Sequence, residues 1–566
     1  LPESSRTPRA RPSPALLVLL ALCAAWGARF IWLTSFDVGH RRFFCLFDDA
    51  MISMTYARNL VEGYGLNWAR QGLPVEGFTH PLWTFLMIPV NASGLPLLLR
   101  SLPIQVVCLA LLLLHVLLVH RLVVRHFSAP GARSGLPVAV LTAFYYPLNY
   151  WTLLGMETGL QAVLTTGSVL LALDMVGATN AAKAADTANA AQAGRDRHLP
   201  LFLLGAAAYL LRMDMLLMVV AVQLFVLAFR GLPGRGMGRE ESRHWLLGAA
   251  LFAAALLGYS AFRWLYFHDV LPNTYYLKLT GVALPVRLLR GFTCLEETLA
   301  AHWGVLLPVA GGTAWVLARG GRAERKWALP AGLFLLYCAY SAWVGGDAWE
   351  QHGGVQANRF IAFVFPLVFV LGNGLLNRVI AELADRFRRR PRLIARALPA
   401  LATAAALFAA NALWPFGELD ERWRDLAVTR PPVLIISHHI VYIDTRNLQK
   451  IALPGAAVAT VWAGIPAYLT DWKMIDLLGY NDTVIAREGS AQFLSPKTFK
   501  SFWPGHVKWD YEHVLEAHHP DAFLQLWGLD EGMSRRLFRP RGFRRINGFW
   551  VRKGSRRVDY TASAVP

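Results

Sequence analysis

The sequence predicts an α-helical polytopic membrane protein of about eleven spans, followed by a C-terminal domain of α/β or α+β type. Three observations carry that expectation. The 566 residues are 55% hydrophobic and only 16% charged, with a mean hydropathy of +0.36, whereas a soluble protein carries about a quarter charged residues. Apolar runs of about 20 residues recur along the first three quarters of the chain, long enough for helices to cross a bilayer with their backbone groups paired internally. After residue 417 the texture changes to short apolar, aromatic and β-branched runs between charged stretches, as in a small mixed domain. The division expected is residues 1–416 in the membrane and 417–566 outside it.

The net charge of +19 does not point to nucleic acid. Its arginines sit in short clusters between apolar runs, where cytoplasmic loops fall. The five cysteines are scattered without metal-ligand spacing; Cys45 and Cys294 could share a compartment, which would allow a disulfide.

Taken in order, Arg6, Arg9 and Arg11 precede an apolar run with no small-residue cleavage site after it, so an uncleaved anchor near 15–34 is expected to carry the chain outward. The first external loop (36–100) holds helical composition over 49–62, stopped by Gly63 and Gly65, and an apolar run over 81–90 too short to span. Spans are expected near 102–124, 136–150 and 159–177, then a low-complexity linker over 178–198. A pair over 199–211 and 215–229 has Arg212 and Asp214 at its apex. The remaining spans fall near 245–264, 302–318, 328–344, 361–380 and 397–415. In this count every basic loop lies inside and every motif-like polar cluster outside, although only the basic loops fixed the orientation.

The densest cluster is Phe47–Trp83. Adjacent carboxylates Asp48 and Asp49 repel, which can raise one pKa toward the range of a general base. Acidic residues also favour the first turn of a helix, so capping explains the pair equally well from composition alone. Glu157 reads as a first-turn acid, and Arg212 with Asp214 as a local salt bridge. In the loop 272–278, Lys278 and the phenols of Tyr275 and Tyr276 suit a phosphate, or an interfacial aromatic belt with a snorkelling lysine. The stretch 345–359 offers glycines, Asp347, Glu350, His352 and Arg359; a single histidine is a weak metal signal, and no metal ligands are assigned.

Structural charges would be spread over both membrane faces, so their gathering on one face predicts an external active site. A carboxylate base among several cations suits transfer from a lipid phosphate, whose leaving group is an anion. A transporter or flippase would show internal repeats and midplane charges, and neither is present in the pattern. A scaffold leaves the polar loops unexplained.

The stretch FDDAMISMTYARNLVEGYGLNW…PVEGFTHPLW resembles the first external loop of the bacterial C-type (GT-C) glycosyltransferases. METGL, LLRMD, LPNTYYLK, GGD…NRF, IDLLGYND with IAR, and PGHVKWD follow in the order of the branch that contains the mycobacterial terminal arabinofuranosyltransferases. The resemblance implies the GT-C fold and an inverting transferase. Its donor would be a polyprenyl-phosphate-linked sugar, arabinofuranose favoured, and its acceptor a polysaccharide or glycoprotein. Membrane lipid is the other implied partner. A transferase for another lipid-linked sugar, a hexose or aminoarabinose, acting on lipid A or protein is the alternative. The same resemblance implies a bacterial inner membrane location, with the site and the C-terminal domain facing the periplasm. It maps the base onto the Asp pair, Asp48 favoured and Asp49 orienting. Lys278 and Arg359 map to the donor phosphate, with Arg212, Tyr275, Asp347 and His352 beside it. Glu76, Thr79, Trp83, Glu157 and Asp214 map to the acceptor or sugar pocket, and Asp476 and Asn481 to a shared motif of the tail. Some C-type members need a divalent cation and others do not; no ligand set here assigns one. LLRMD departs from the usual Arg-Pro-acid spelling, and the insertion before Arg359 is long, so the sugar pocket is the part the resemblance defines least.

Overall fold

A computed structural model describes residues 13–128, 135–185, 197–350, 358–386, 391–411, 419–488 and 495–561. His352, and residues 186–196 of the linker, lie outside the described residues.

The protein is a multi-pass helical membrane protein. Among the described residues, seven helices are long and apolar enough to cross a bilayer: Pro14–Leu33, Leu97–His126, Thr158–Gly177, Met213–Arg230, Arg239–Phe267, Arg322–Val344 and Pro366–Leu383. The first shows how the chain starts such a helix. Ser13 accepts the Leu16 N–H and Pro14 takes the first helical position, where its missing N–H costs nothing. Leu16, Leu19, Cys23 and Phe30 are buried while Leu17, Val18 and Leu22 are exposed, a division between bundle and lipid.

The other expected spans are broken or short. Leu284–Ala301 and Trp303–Arg319 are together long and apolar enough for one crossing but bend by 91° between them. The first of them is amphipathic, burying Arg290, Gly291, Cys294 and Thr298, so it suits a boundary rather than a crossing. The span expected over 136–150 is two helices, Leu136–Ala143 and Tyr146–Leu153. Pro147 cannot continue a helix begun earlier, and the Tyr146 N–H donates instead to Asn411 Oδ1 at 2.9 Å. His198–Leu211 and Ala397–Asn411 are apolar but shorter than a crossing needs. Cys45 and Cys294 are buried and each is a free thiol, so the disulfide is not formed.

The C-terminal region contains a five-stranded mixed sheet in the order Lys473–Asp476, Ala457–Thr460, Ala522–Phe523, Phe549–Arg552, Phe543–Ile546. These strands are β3 (Ala457–Thr460), β4 (Lys473–Asp476), β5 (Ala522–Phe523), β6 (Phe543–Ile546) and β7 (Phe549–Arg552). Three of them run parallel (β4-β3-β5), and β7 and β6 close the sheet as an antiparallel hairpin. A second, two-stranded ladder joins β1 (Ser35–Val38) to β2 (Arg41–Phe44) in the first external loop. The β-branched run VLIISHHIVYI is not a strand but part of the helix Val433–Leu448. Its buried residues Leu434, Ile435, His438, Val441, Tyr442, Thr445 and Leu448 recur at three- and four-residue steps, the helical period.

Candidate active site

The site is built on the N-terminus of the helix Asp48–Val61, whose first turn carries both aspartates. The unpaired N–H groups and dipole there favour negative charge. Neighbouring residues on a helix point about 100° apart, so the two carboxylates face different surroundings.

Asp48 faces the C-terminal region. Its Oδ1 accepts the N–H of Gly464 at 3.0 Å and of Ile465 at 3.3 Å. Gly464 permits that approach, because a Cβ there would lie 2.4 Å from the Asp48 carbonyl oxygen. Burial, and then the neighbouring charge of Asp49, push the Asp48 carboxyl up to about 7.

Asp49 faces a cavity of about 190 Å³. Its Oδ2 accepts from the Arg359 guanidinium at 2.8 Å, and its Oδ1 accepts no hydrogen bond from the described residues. Burial alone would raise its carboxyl, but the charges of Arg359 and Lys278 hold it below the usual range. It therefore stays ionised. Arg359 also donates to both Asp347 oxygens, at 3.0 to 3.2 Å, and lies 5.0 Å over the Trp151 ring. Asp347 is fully buried and accepts the Arg359 N–H as well, at 3.1 Å, which locks the guanidinium into one pose.

A second arginine closes the neighbouring wall. Arg212 donates to Glu157 at 2.7 Å and to Asp214 at 2.9 and 3.0 Å. The local salt bridge is thus half of a three-member bridge between two spans. Lys278 differs from both arginines. It belongs to the last turn of the helix Asn273–Leu279, lines the cavity, and among the described residues makes no hydrogen bond or ion pair. Burial lowers its ammonium to about 8, against the pull of Asp49.

Of the residues singled out in the sequence, Asp49, Thr79, Arg212, Asp214, Tyr275, Lys278, Asp347 and Arg359 line one cavity. Asp48, Glu76, Trp83 and Glu157 do not. Trp83 is buried with its indole N–H on the Gly155 carbonyl at 2.8 Å, and Glu157 acts on the cavity through Arg212 and through His80, whose Nδ1 lies 3.8 Å from its Oε2. Glu76 is taken up by Arg263 at 2.7 Å and by the Tyr259 hydroxyl at 2.7 Å, while its carbonyl accepts the Asn273 N–H at 2.9 Å. It pins a span to the Lys278 helix rather than shaping a pocket. Glu76→Ala would leave Arg263 buried and uncompensated, a loss of about 3–5 kcal/mol. A lowered unfolding midpoint of the purified protein in detergent checks it.

Sequence reasoning missed the part played by the C-terminal region. Pro504 lines the cavity, and the Tyr480 ring lies 5.9 Å from the Lys278 ammonium. Asp476 accepts the N–H groups of Leu478, Gly479 and Asn481, shaping the loop that carries Tyr480. Asn481 Oδ1 accepts from the Tyr56 hydroxyl at 2.8 Å. His80, Tyr340 and Trp343 also line the cavity; His80 sits within the first-loop motif and the other two just before GGD, and only the fold brings them inward.

No curated protein matches the chain in sequence. A family model described as a domain of unknown function, DUF8728, matches residues 440–562. Among solved structures the chain is similar to ArnT from Cupriavidus metallidurans bound to undecaprenyl phosphate. That likeness has 12% identity and a TM-score of 0.50, covering 82% of this chain and 86% of that one. It is also similar to the archaeal oligosaccharyltransferase AglB from Archaeoglobus fulgidus, in complex with an inhibitory peptide and a dolichol-phosphate. Here the identity is 11% and the TM-score 0.50, covering 90% of this chain and 69% of that one. At such identities the likeness is one of fold: the GT-C membrane fold, with a small C-terminal sheet.

Proposed function

We propose that the chain is an inverting glycosyltransferase that moves a sugar from a polyprenyl-phosphate donor to a hydroxyl of a polysaccharide or glycoprotein. One observation carries the reading: Asp49, an ionised carboxylate whose Oδ1 accepts no hydrogen bond among the described residues, shares a cavity with Lys278, an ammonium that makes no hydrogen bond or ion pair among them. Apolar Leu279, Trp343, Val344 and Phe360 complete that cavity, as an amphiphilic lipid phosphate requires. The fold supports it, since structures sharing that fold hold undecaprenyl phosphate and dolichol-phosphate. Arabinofuranose is the first sugar to test, on the motif resemblance. A lipid-linked hexose and aminoarabinose are the comparators.

In this mechanism Asp49, rather than Asp48, is the base. Its Oδ1 takes the proton of the acceptor hydroxyl as that oxygen bonds to the anomeric carbon. The bond from that carbon to the phosphate oxygen breaks, and its electron pair leaves on the polyprenyl phosphate. Lys278 neutralises the departing charge, a stabilisation that grows toward the transition state. Arg359 and Asp347 hold Asp49 in place, and Arg212 lines the same cavity, with Thr79, Tyr275 and Asp214 around the sugar. Single displacement from one face inverts the anomeric centre. Residues 417–566 form the domain that covers the site, on the periplasmic side of a bacterial inner membrane.

The pH profile tests Lys278. The cation that binds phosphate exists below its pKa and is lost above it. kcat/KM, which reports the free enzyme, is expected to fall as pH rises through about 8. A bound phosphate raises the same ammonium, so the limb in kcat should lie higher. Coincident limbs, or none, would assign the phosphate to another group.

A further inference from the structure

We propose that Asp482, His513 and His518 form a binding site for a zinc-class divalent cation that fixes the C-terminal domain against the Lys278 helix. This inference goes beyond sugar transfer and holds for any reaction in the cavity.

Asp482 Oδ2 lies 3.1 Å from His513 Nε2 and 2.9 Å from His518 Nε2, and the three potential ligand atoms all lie within 4.8 Å of one another. Ligands about 2.0–2.2 Å from a tetrahedral metal stand about 3.3 Å apart, so the three need separate only slightly to admit one. The imidazole rings meet at 83° with centroids 5.2 Å apart, approaching one point from two directions. One short helix, Tyr511–Ala517, supplies both, His513 from its first turn and His518 just past its end. The carboxylate is pre-set as well: Asp482 Oδ1 accepts the N–H groups of Val484 and Ile485 at 2.9 and 3.0 Å, which leaves Oδ2 for the histidines. Imidazole nitrogens with one carboxylate oxygen are a donor set for zinc, with water as the fourth ligand. The side chains of His513 and His518 are 18% and 33% exposed, which gives the ion and the water a path in.

Asp482 ends the loop that touches the cavity walls. Asn273 Nδ2 donates to the carbonyls of Gly479, Tyr480 and Asp482, at 2.8, 3.0 and 3.2 Å, and Asn273 opens the helix that carries Lys278. A cation at Asp482 would therefore lock the Tyr480 loop and, through Asn273, the position of Lys278. Its role is positioning, since none of the three ligands lines the cavity.

The test uses the full chain purified in detergent without metal-affinity chromatography and dialysed against metal-free buffer. Elemental analysis is expected to find about one zinc per chain, held by the three protein ligands and one water. Stripped protein titrated with cobalt should develop the visible absorption of tetrahedral coordination. The double variant H513Q/H518Q should lose both signals, and chelation should lower the unfolding midpoint of wild type but not of the variant. Stripped wild type that takes up neither zinc nor cobalt overturns the proposal, and so does a double variant with the zinc of wild type. If the variant does not fold, the cobalt titration of wild type alone decides, because a simple histidine–carboxylate hydrogen-bond pair gives no cobalt spectrum.

Discussion

Asp49→Asn is expected to lower kcat by about 10²–10⁴-fold, the range that a positioned general base supplies, with little change in donor KM. The substitution keeps the shape of the side chain, and Arg359 stays balanced by Asp347 on its other face. What is lost is an ionised oxygen at the cavity wall that accepts no hydrogen bond among the described residues. Asp48→Asn is the informative contrast. The amide oxygen it introduces can still accept the Gly464 and Ile465 N–H groups, and Asp48, pushed up to about 7, is half protonated at neutral pH already. Its loss of activity should therefore be about tenfold or less, below the general-base range. Single-turnover rates with a labelled lipid-linked sugar separate the two variants. Equal losses in both would mean that the pair acts as one unit.

The second large effect is expected at Lys278. Lys278→Met removes a cavity cation that makes no ion pair among the described residues and is expected to cost about 10²–10³-fold in kcat, as loss of one transition-state charge donor does. Donor KM should rise as well, because the phosphate is charged in the ground state too. The alkaline limb near 8 should vanish with it. Lys278→Arg keeps a charge that does not titrate in this range, so it should retain part of the activity and move the limb upward. A Met variant with wild-type kinetics, or an Arg variant with an unmoved limb, would remove Lys278 from the phosphate site. Arg359 makes a poorer discriminator, since its substitution releases Asp49 and Asp347 together and confounds charge with position.

Much of this site was legible in the sequence, for one physical reason. Charged groups are costly in apolar surroundings unless paired or used, so Asp49, Arg212, Lys278, Asp347 and Arg359 stood out against hydrophobic neighbours. Their order along the chain then matched a known series of motifs. What stayed hidden depends on direction and on distant partners. Two adjacent aspartates are alike on paper, yet one step along the helix sends Asp48 to Gly464 and Asp49 into the cavity. Glu76 looked like a pocket acid because its partner, Arg263, lies in the distant apolar run GYSAFRWLYF, where it read as part of a span. The helix Val433–Leu448 was masked by β-branched residues, whose strand preference is weaker than burial of one helical face. The broken span at Pro147 was missed because the run was read by its apolar content as a whole, although Tyr146, Asn149, Tyr150 and Thr152 make its second half the more polar one. The cover provided by Tyr480, Pro504 and Gly464 needs contacts across more than 400 residues in the case of Gly464 and Asp48, which no local pattern encodes.

The central claim is that a lipid-linked sugar is turned over at Asp49, and one measurement addresses it directly. Membranes holding the acceptor, with purified wild-type or D49N protein added, are incubated with polyprenyl-phosphate arabinofuranose labelled in the sugar. Parallel incubations contain the labelled hexose and aminoarabinose donors. Wild type is expected to move label from the lipid phase into acceptor glycan while releasing polyprenyl phosphate in equal amount, and D49N to stay near background. Label that stays on the lipid with every donor, or a D49N protein as active as wild type, would contradict the account.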